Sequence, residues 1–312
     1  MTLKQRRSIL FIVIYLSMFI SISTIAYGES REESLSDAKI SQAKEWFDKA
    51  AELQEKDKAI EACAKALELN PAYIAAYDLR ARLYQEKQEY NLAREDYTRI
   101  IELDPKAAEQ YYLKRGSVFE IEKQYGNAKS DFSKAIELNS KSIYAYKVRA
   151  FLLRDKLKKY DEAINDFTKL IELEPYSMTH YTCRAILYEK QNRIDLAIHD
   201  YSKLIELKPE VELYIHRALL YEKNNQYDMA INDYTKGMEL SSLSTLYINR
   251  AAVYDKIGRS DLAQADRMKG EDRRKAERNW IKEWGFMIPW LIPPILILCL
   301  IIGVIMTVRN IF

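Results

Sequence analysis

Histidine and cysteine are scarce in this 312-residue chain, and where three of them come close in sequence a metal site is the first chemistry to test. His180 and Cys183 stand three apart on one helical face, and His216 holds the position of Cys183 thirty-three residues later. Equivalent positions on neighbouring packed helices lie ~10 Å apart, whereas a zinc ion holds its ligands at ~2 Å. No fourth ligand accompanies them, so no metal or cofactor is expected. Cys63 and Cys183 lie too far apart along the chain to pair and read as small core residues. The chain carries no G-x-S-x-G, H-E-x-x-H, phosphate-binding loop or dinucleotide fingerprint. An enzyme is therefore not expected, nor a small-molecule substrate; a catalytic site at some junction of repeats would have no motif behind it.

A second constellation is far more regular. Arg80/Asp96, Arg115/Asp131, Arg149/Asp166, Arg184/Asp200, Arg217/Asp233 and Arg250/Asp266 recur in phase. Such a ladder could read a charged ligand. Its members flank small and aromatic positions, however, which favours bridges between neighbouring helices that fix their register. Removing one partner would leave a partly buried charge unpaired, at a cost of ~3 kcal/mol or more.

The elements that place these residues are repeats. A small residue returns at Ala59, Ala93, Ala128, Ala163, Ala197, Ala230 and Ala263, every 33–35 residues, and a second series runs in phase at Ala81, Gly116, Ala150, Ala185, Ala218 and Ala251. A period of this length marks stacked helical units. Eight Gly and seven Pro among abundant Ala, Leu, Lys and Glu agree with an all-helical chain. Between Tyr77 and Pro105, Tyr77, Ala81 and Tyr84 mark one face of a first helix; Ala93, Tyr97, Ile100 and Leu103 mark a second, which Pro105 ends. Asn91 is expected to help start the second helix, and one extra residue before Tyr160 is expected in the inter-helix turn. With 48 basic and 46 acidic residues the net charge is +2, which argues against nucleic acid as a partner.

Both ends suggest a membrane. Lys4, Arg6 and Arg7, an apolar stretch from Ile9 to Ile20, and Ala26 and Gly28 at small-residue positions describe a signal peptide or signal anchor over 1–28, followed by a short linker over 29–40. The uncharged run from Gly285 to Val308 is long enough to cross ~30 Å of hydrocarbon, with Trp280, Trp284 and Trp290 at its start. We expect a juxtamembrane helix over 276–286, a transmembrane helix over 287–308 and a tail over 309–312. Gly270 would weaken a helix running on toward the bilayer by ~1 kcal/mol at most. Export by the first segment places the repeats on the non-cytoplasmic side, although Arg273, Arg274, Lys275, Arg278 and Lys282 favour the opposite sense. A tail-anchored protein facing the cytoplasm is the alternative.

The hairpin pattern from Ser41 to Lys275 resembles the tetratricopeptide repeat. The aromatic at the fourth position recurs at Tyr77, Tyr112, Tyr146, Tyr181, Tyr214 and Tyr247, and the repeat closes on Pro71, Pro105, Ser140, Pro175, Pro209 and Ser242. An earlier unit at Ser41–Pro71 brings the count to seven, and Arg267, in place of the second-helix aromatic, marks an atypical end. The resemblance implies an all-α solenoid over 41–275 whose positions 5, 9 and 12 of each first helix line a concave groove. Those positions include Leu113, Phe151, Arg154, Ile186, Glu189, Ile215, Leu219, Glu222, Ile248 and Asp255. The second half thus offers an apolar floor with an acidic edge, suited to an apolar or mildly basic protein segment; some of the apolar members would otherwise pack between repeats. The family's Lys/Asn/Arg carboxylate clamp is missing. The expected function is a membrane-anchored scaffold for a protein or peptide partner; a structural organiser acting by self-association or through the convex face is the alternative.

Overall fold

The computed structural model describes residues 37–284, with side chains to 279, and these residues fold into fourteen helices. The chain divides into two compact units between Lys159 and Tyr160. Unit 1 holds α1 (37–52), α2 (Lys56–Leu69), α3 (Ile74–Glu86), α4 (Tyr90–Leu103), α5 (Ala108–Ile121), α6 (Tyr125–Leu138) and α7 (Ile143–Leu152). Unit 2 holds α8 (Tyr160–Leu173), α9 (Met178–Lys190), α10 (Ile194–Leu207), α11 (Val211–Lys223), α12 (Tyr227–Leu240), α13 (Ser244–Lys256) and α14 (Ser260–Trp284). Each unit is a stretch of α-solenoid in which consecutive helices pack as antiparallel pairs. The expected leader (1–28), transmembrane helix (287–308) and tail (309–312) lie outside the described residues. Among the described residues no helix is long and apolar enough to cross a membrane.

The alanine series sits where helices cross. Ala81, Ala93, Ala128, Ala185, Ala197, Ala218 and Ala230 are fully buried, so the backbones approach closely and the larger side chains fill the space between them. In unit 1, Ala81, Ala93, Tyr97 and Ile100 share one core cluster with Val118; in unit 2, Ala218, Ala230 and Tyr234 share one with Leu246 and Val253. Burying each such large side chain contributes roughly 1.5–3 kcal/mol. Gly116 replaces alanine because the Phe132 ring comes closer than usual: a methyl there would lie 2.6 Å from Phe132 Cε1.

From the second hairpin on, each turn within a hairpin passes through one left-handed residue: Gln88, Lys123, Lys158, Asn192, Asn225 or Gly258. The next N–H then returns to the first helix, as from Glu89 to the Tyr84 carbonyl (2.8 Å) and from Gln226 to that of Tyr221 (2.8 Å). This closes the orphan carbonyls at the helix end. Two local expectations change. Asn91 lies inside α4, which begins at Tyr90, and its side chain accepts from Arg94 instead of capping. The extra residue before Tyr160 is taken up inside the first helix, as a π-helical turn over Leu153–Leu157, because there the wider i→i+5 loop adds a residue without lengthening the left-handed turn at Lys158.

α14 runs unbroken through Gly270, which is buried. A methyl at Gly270 would lie 3.1 Å from Ile248 Cγ1 and 3.3 Å from Tyr247 Cβ, so the glycine permits close approach of α14 to α13. Further along, Glu277 accepts from the Ser244 backbone N–H (2.9 Å) and hydroxyl (2.8 Å). It caps α13 from a repeat length away, since the α13 N-cap, Leu243, has no side-chain acceptor. Those two bonds, the backbone one foremost, hold the Glu277 carboxyl below its usual range.

Candidate functional site

The arginine ladder is occupied by the protein itself. Arg184 donates from Nε and Nη2 to both carboxylate oxygens of Asp200 (2.9 and 2.8 Å), and from Nη1 to Thr168 Oγ1 on the preceding second helix (2.9 Å). Arg217 does the same with Asp233 (2.7 and 2.7 Å) and Ser202 (2.8 Å), and Arg250 with Asp266 (2.7 and 2.9 Å) and Thr235 (2.7 Å). In unit 1, Arg115 joins Asp131 (2.8 Å twice) to Thr98 (2.8 Å). Each hydroxyl donates in turn to the carbonyl four residues earlier in its own helix, as Ser202 does to Ile198 (2.7 Å). Tyrosines flank the guanidinium: Arg217 lies 5.8 Å from the Tyr214 ring centre and 5.7 Å from that of Tyr221. Asp200 and Asp233 are almost wholly buried, and their charge is met by a bidentate partner. At Arg115, Arg184, Arg217 and Arg250 the ladder ties three helices together.

The twelfth positions follow a second rule. Where the second helix carries a buried tyrosine, its hydroxyl donates to that position: Tyr97 to Gln85 (2.7 Å), Tyr201 to Glu189 (2.7 Å) and Tyr234 to Glu222 (2.6 Å). Burial first, then for Tyr201 and Tyr234 the bonded carboxylate, pushes these phenols above their ordinary value. Glu222 also receives Lys256 (2.8 Å), and Asp255 is paired with Arg267. The expected acidic edge is therefore committed inside the fold: its carboxylates hold tyrosine hydroxyls and cations. Arg267 takes the aromatic's place and keeps the twelve-residue link.

The apolar inner positions separate into two kinds. Leu113 and Ile215 are half-buried and pack against core clusters, Leu113 beside Phe132 and Leu152, and Ile215 beside Tyr234 and Leu246. Ile248 faces Gly270. Phe151 lies under the Arg154 guanidinium at 4.6 Å, and Arg154 is held by Asp155 through two bonds (2.7 and 2.8 Å). Ile186 on α9 and Leu219 on α11 are different: they are 40% and 47% exposed. On α3 of unit 1 the inner positions are polar instead: Arg82 lies 3.6 Å from the Asp78 carboxylate, which is also bonded to Lys114 of α5 (2.5 Å).

Six segments, 51–73, 74–107, 109–142, 151–177, 184–210 and 211–242, match the tetratricopeptide repeat family. The chain belongs to that family. Its fold is that of a protein-interaction scaffold. Among solved structures, it is similar to the Naa15/Naa10 complex bound to HypK-THB (15% identity, TM-score 0.57), where the match covers 81% of this chain and 38% of the other. It is also similar to MamA (24%, TM-score 0.43, 49% and 88% covered) and to YrrB, described as a TPR protein with an unusual peptide-binding site (21%, 0.46, 60% and 96%).

Within this tetratricopeptide array the residues with metal-ligand chemistry have other work. His180 is buried with Nε2 2.8 Å from Glu174, and His216 stacks on Tyr201 at 5.5 Å. Cys63 is buried in the core, and burial pushes its thiol up to about 11. Two structural partnerships were missed in the sequence although a signal was there. Asp-(Tyr/Phe)-(Ser/Thr) recurs at Asp96–Thr98, Asp131–Ser133, Asp166–Thr168, Asp200–Ser202 and Asp233–Thr235, and gives way to Asp266-Arg267-Met268 after the last ladder arginine. The third residue is the hydroxyl that the next arginine needs.

Proposed function

We propose that this protein is a membrane-anchored scaffold that holds a protein partner against the inner face of unit 2. The observation that carries this reading is the exposure of Ile186 and Leu219 at the same register on two successive first helices. Large aliphatic side chains left in water at matching positions lose ~25 cal/mol for each Å² that a partner would cover. The partner segment is apolar, in extended or helical form. Its orientation comes from shape more than from charge, since Glu189 and Glu222 already serve Tyr201 and Tyr234. Anchoring is supported by the uncharged run over 285–308 and by the continuity of α14 to Trp284. The apolar leader supports a non-cytoplasmic location. An alkaline phosphatase fusion after Ser242, active only on export, tests that placement.

The groove is tested by photo-crosslinking from position 186 or 219 in cells, with position 82 in unit 1 as the control. Partner adducts should form at 186 and 219, and Ile186→Asp with Leu219→Asp should abolish capture while circular dichroism stays helical. Equal capture by this double variant removes the inner face of unit 2 from consideration.

A further inference from the structure

Nearly every arginine in the two units is matched. Arg80, Arg94, Arg99, Arg115, Arg184, Arg193, Arg217, Arg250 and Arg267 each have a carboxylate within ion-pair distance. The far half of α14 breaks the pattern. Arg273, Arg274 and Arg278 are exposed and hold no ion pair among the described residues, and Lys275 reaches Asp272 only at 3.6 Å. Glu277 offsets them only in part: its carboxylate caps the α13 N-terminus through Ser244, while Arg274 and Arg273 act on it as nearby charges. Arg267 is likewise spent on Asp255. This stretch sets Lys269, Arg273, Arg274, Lys275 and Arg278 against Glu271, Asp272 and Glu277. A shallow recess of about 480 Å³ lies beside it, lined by Tyr247, Lys269, Asp272, Arg273 and Ala276.

Position along the chain says which anion these cations face. α14 ends at Trp284, one residue before the uncharged run. At ~1.5 Å per residue, Arg278 stands ~10 Å and Arg273 ~18 Å from the start of that run. The headgroup layer is several ångströms thick and the Debye length at physiological salt is ~8 Å, so the leaflet's surface charge reaches most of the cluster. We propose that the basic stretch of α14 binds anionic phospholipid headgroups of the membrane that receives the following segment. The contact holds the last hairpin against the bilayer, because Gly270 and Glu277 fix α14 to α13. The inference rests on the anchoring reading above.

The test uses the full chain reconstituted with vesicles of phosphatidylcholine alone, or with about a third phosphatidylglycerol. Phenylglyoxal modification of Arg273, Arg274 and Arg278 is followed by mass spectrometry, with exposed Arg259 at the opposite end of the α13–α14 hairpin as internal reference. Anionic vesicles should slow modification at the three sites about fivefold relative to neutral ones and leave Arg259 unchanged. About 1 M salt, where the Debye length is ~3 Å, should abolish the difference. A chain that floats with both vesicles yet reacts at equal rates overturns the lipid contact and leaves anchoring intact. A chain that floats with neither overturns anchoring, and the lipid contact with it.

Discussion

Units 1 and 2 are assembled from the same hairpin, yet they spend its variable positions differently. At the inner positions of α3 unit 1 places Asp78 and Arg82, with Asp78 also paired to Lys114 of α5, whereas unit 2 leaves Ile186 and Leu219 in water. At the left-handed turns unit 1 carries Gln88, Lys123 and Lys158, and unit 2 carries Asn192, Asn225 and Gly258, residue types that tolerate positive φ. Between hairpins the contrast reverses. Asn70, Asp104 and Asn139 of unit 1 accept backbone N–H groups two or three residues on, at 3.1 Å, and so hold the chain on its way to the next helix. The shared positions therefore keep the hairpins in register, and the free ones decide which surface is left for a partner.

The largest expected effect comes from the shared ladder. Arg217→Met should lower stability by ~3 kcal/mol or more, because Asp233 would stay buried and unpaired. Arg80→Met should cost less. The position that would supply its third partner is Ala64, so Arg80 joins two helices and not three. Denaturation midpoints of the two variants compare them, and equal losses would show that the hydroxyl bond contributes nothing.

Gly116→Ala should destabilise unit 1 by roughly 1–3 kcal/mol despite alanine's better helix propensity, since the methyl meets the buried Phe132 ring. Thermal unfolding checks this. Tyr201→Phe removes one donor and should cost ~1 kcal/mol at neutral pH. The same phenol gives a pH signature. Its raised pKa means that the folded state keeps a proton which the unfolded chain loses near pH ~10. Its stabilisation is complete below that pH and drains away above it, so Tyr201→Phe should flatten the alkaline loss of stability in a pH titration of the melting point.

The smallest effect sharpens the contrast between the turns. Lys123→Gly should stabilise by about 0.5–1 kcal/mol, as relief of left-handed strain outweighs the added chain entropy. Asn225→Gly should change stability by no more than a few tenths. Chemical denaturation of the two single variants decides whether the turns of unit 1 hold more strain.

The repeat, its two helices and the arginine ladder were legible because they rest on periodicity: residues that must pack at every step recur at every step. Sequence alone therefore determined the fold class and the placement of the alanine series at the crossings. The inner surface was legible only as a list of candidates. One-dimensional spacing puts Leu113, Ile215, Ile186 and Leu219 on equivalent inner faces, but it does not say how far a neighbouring helix covers each one. Tertiary packing decided that Leu113 and Ile215 join the core while Ile186 and Leu219 stay exposed. It also decided that Glu189 and Glu222 belong to Tyr201 and Tyr234, for hydrogen bonds depend on distances of about 3 Å between side chains that lie twelve residues apart.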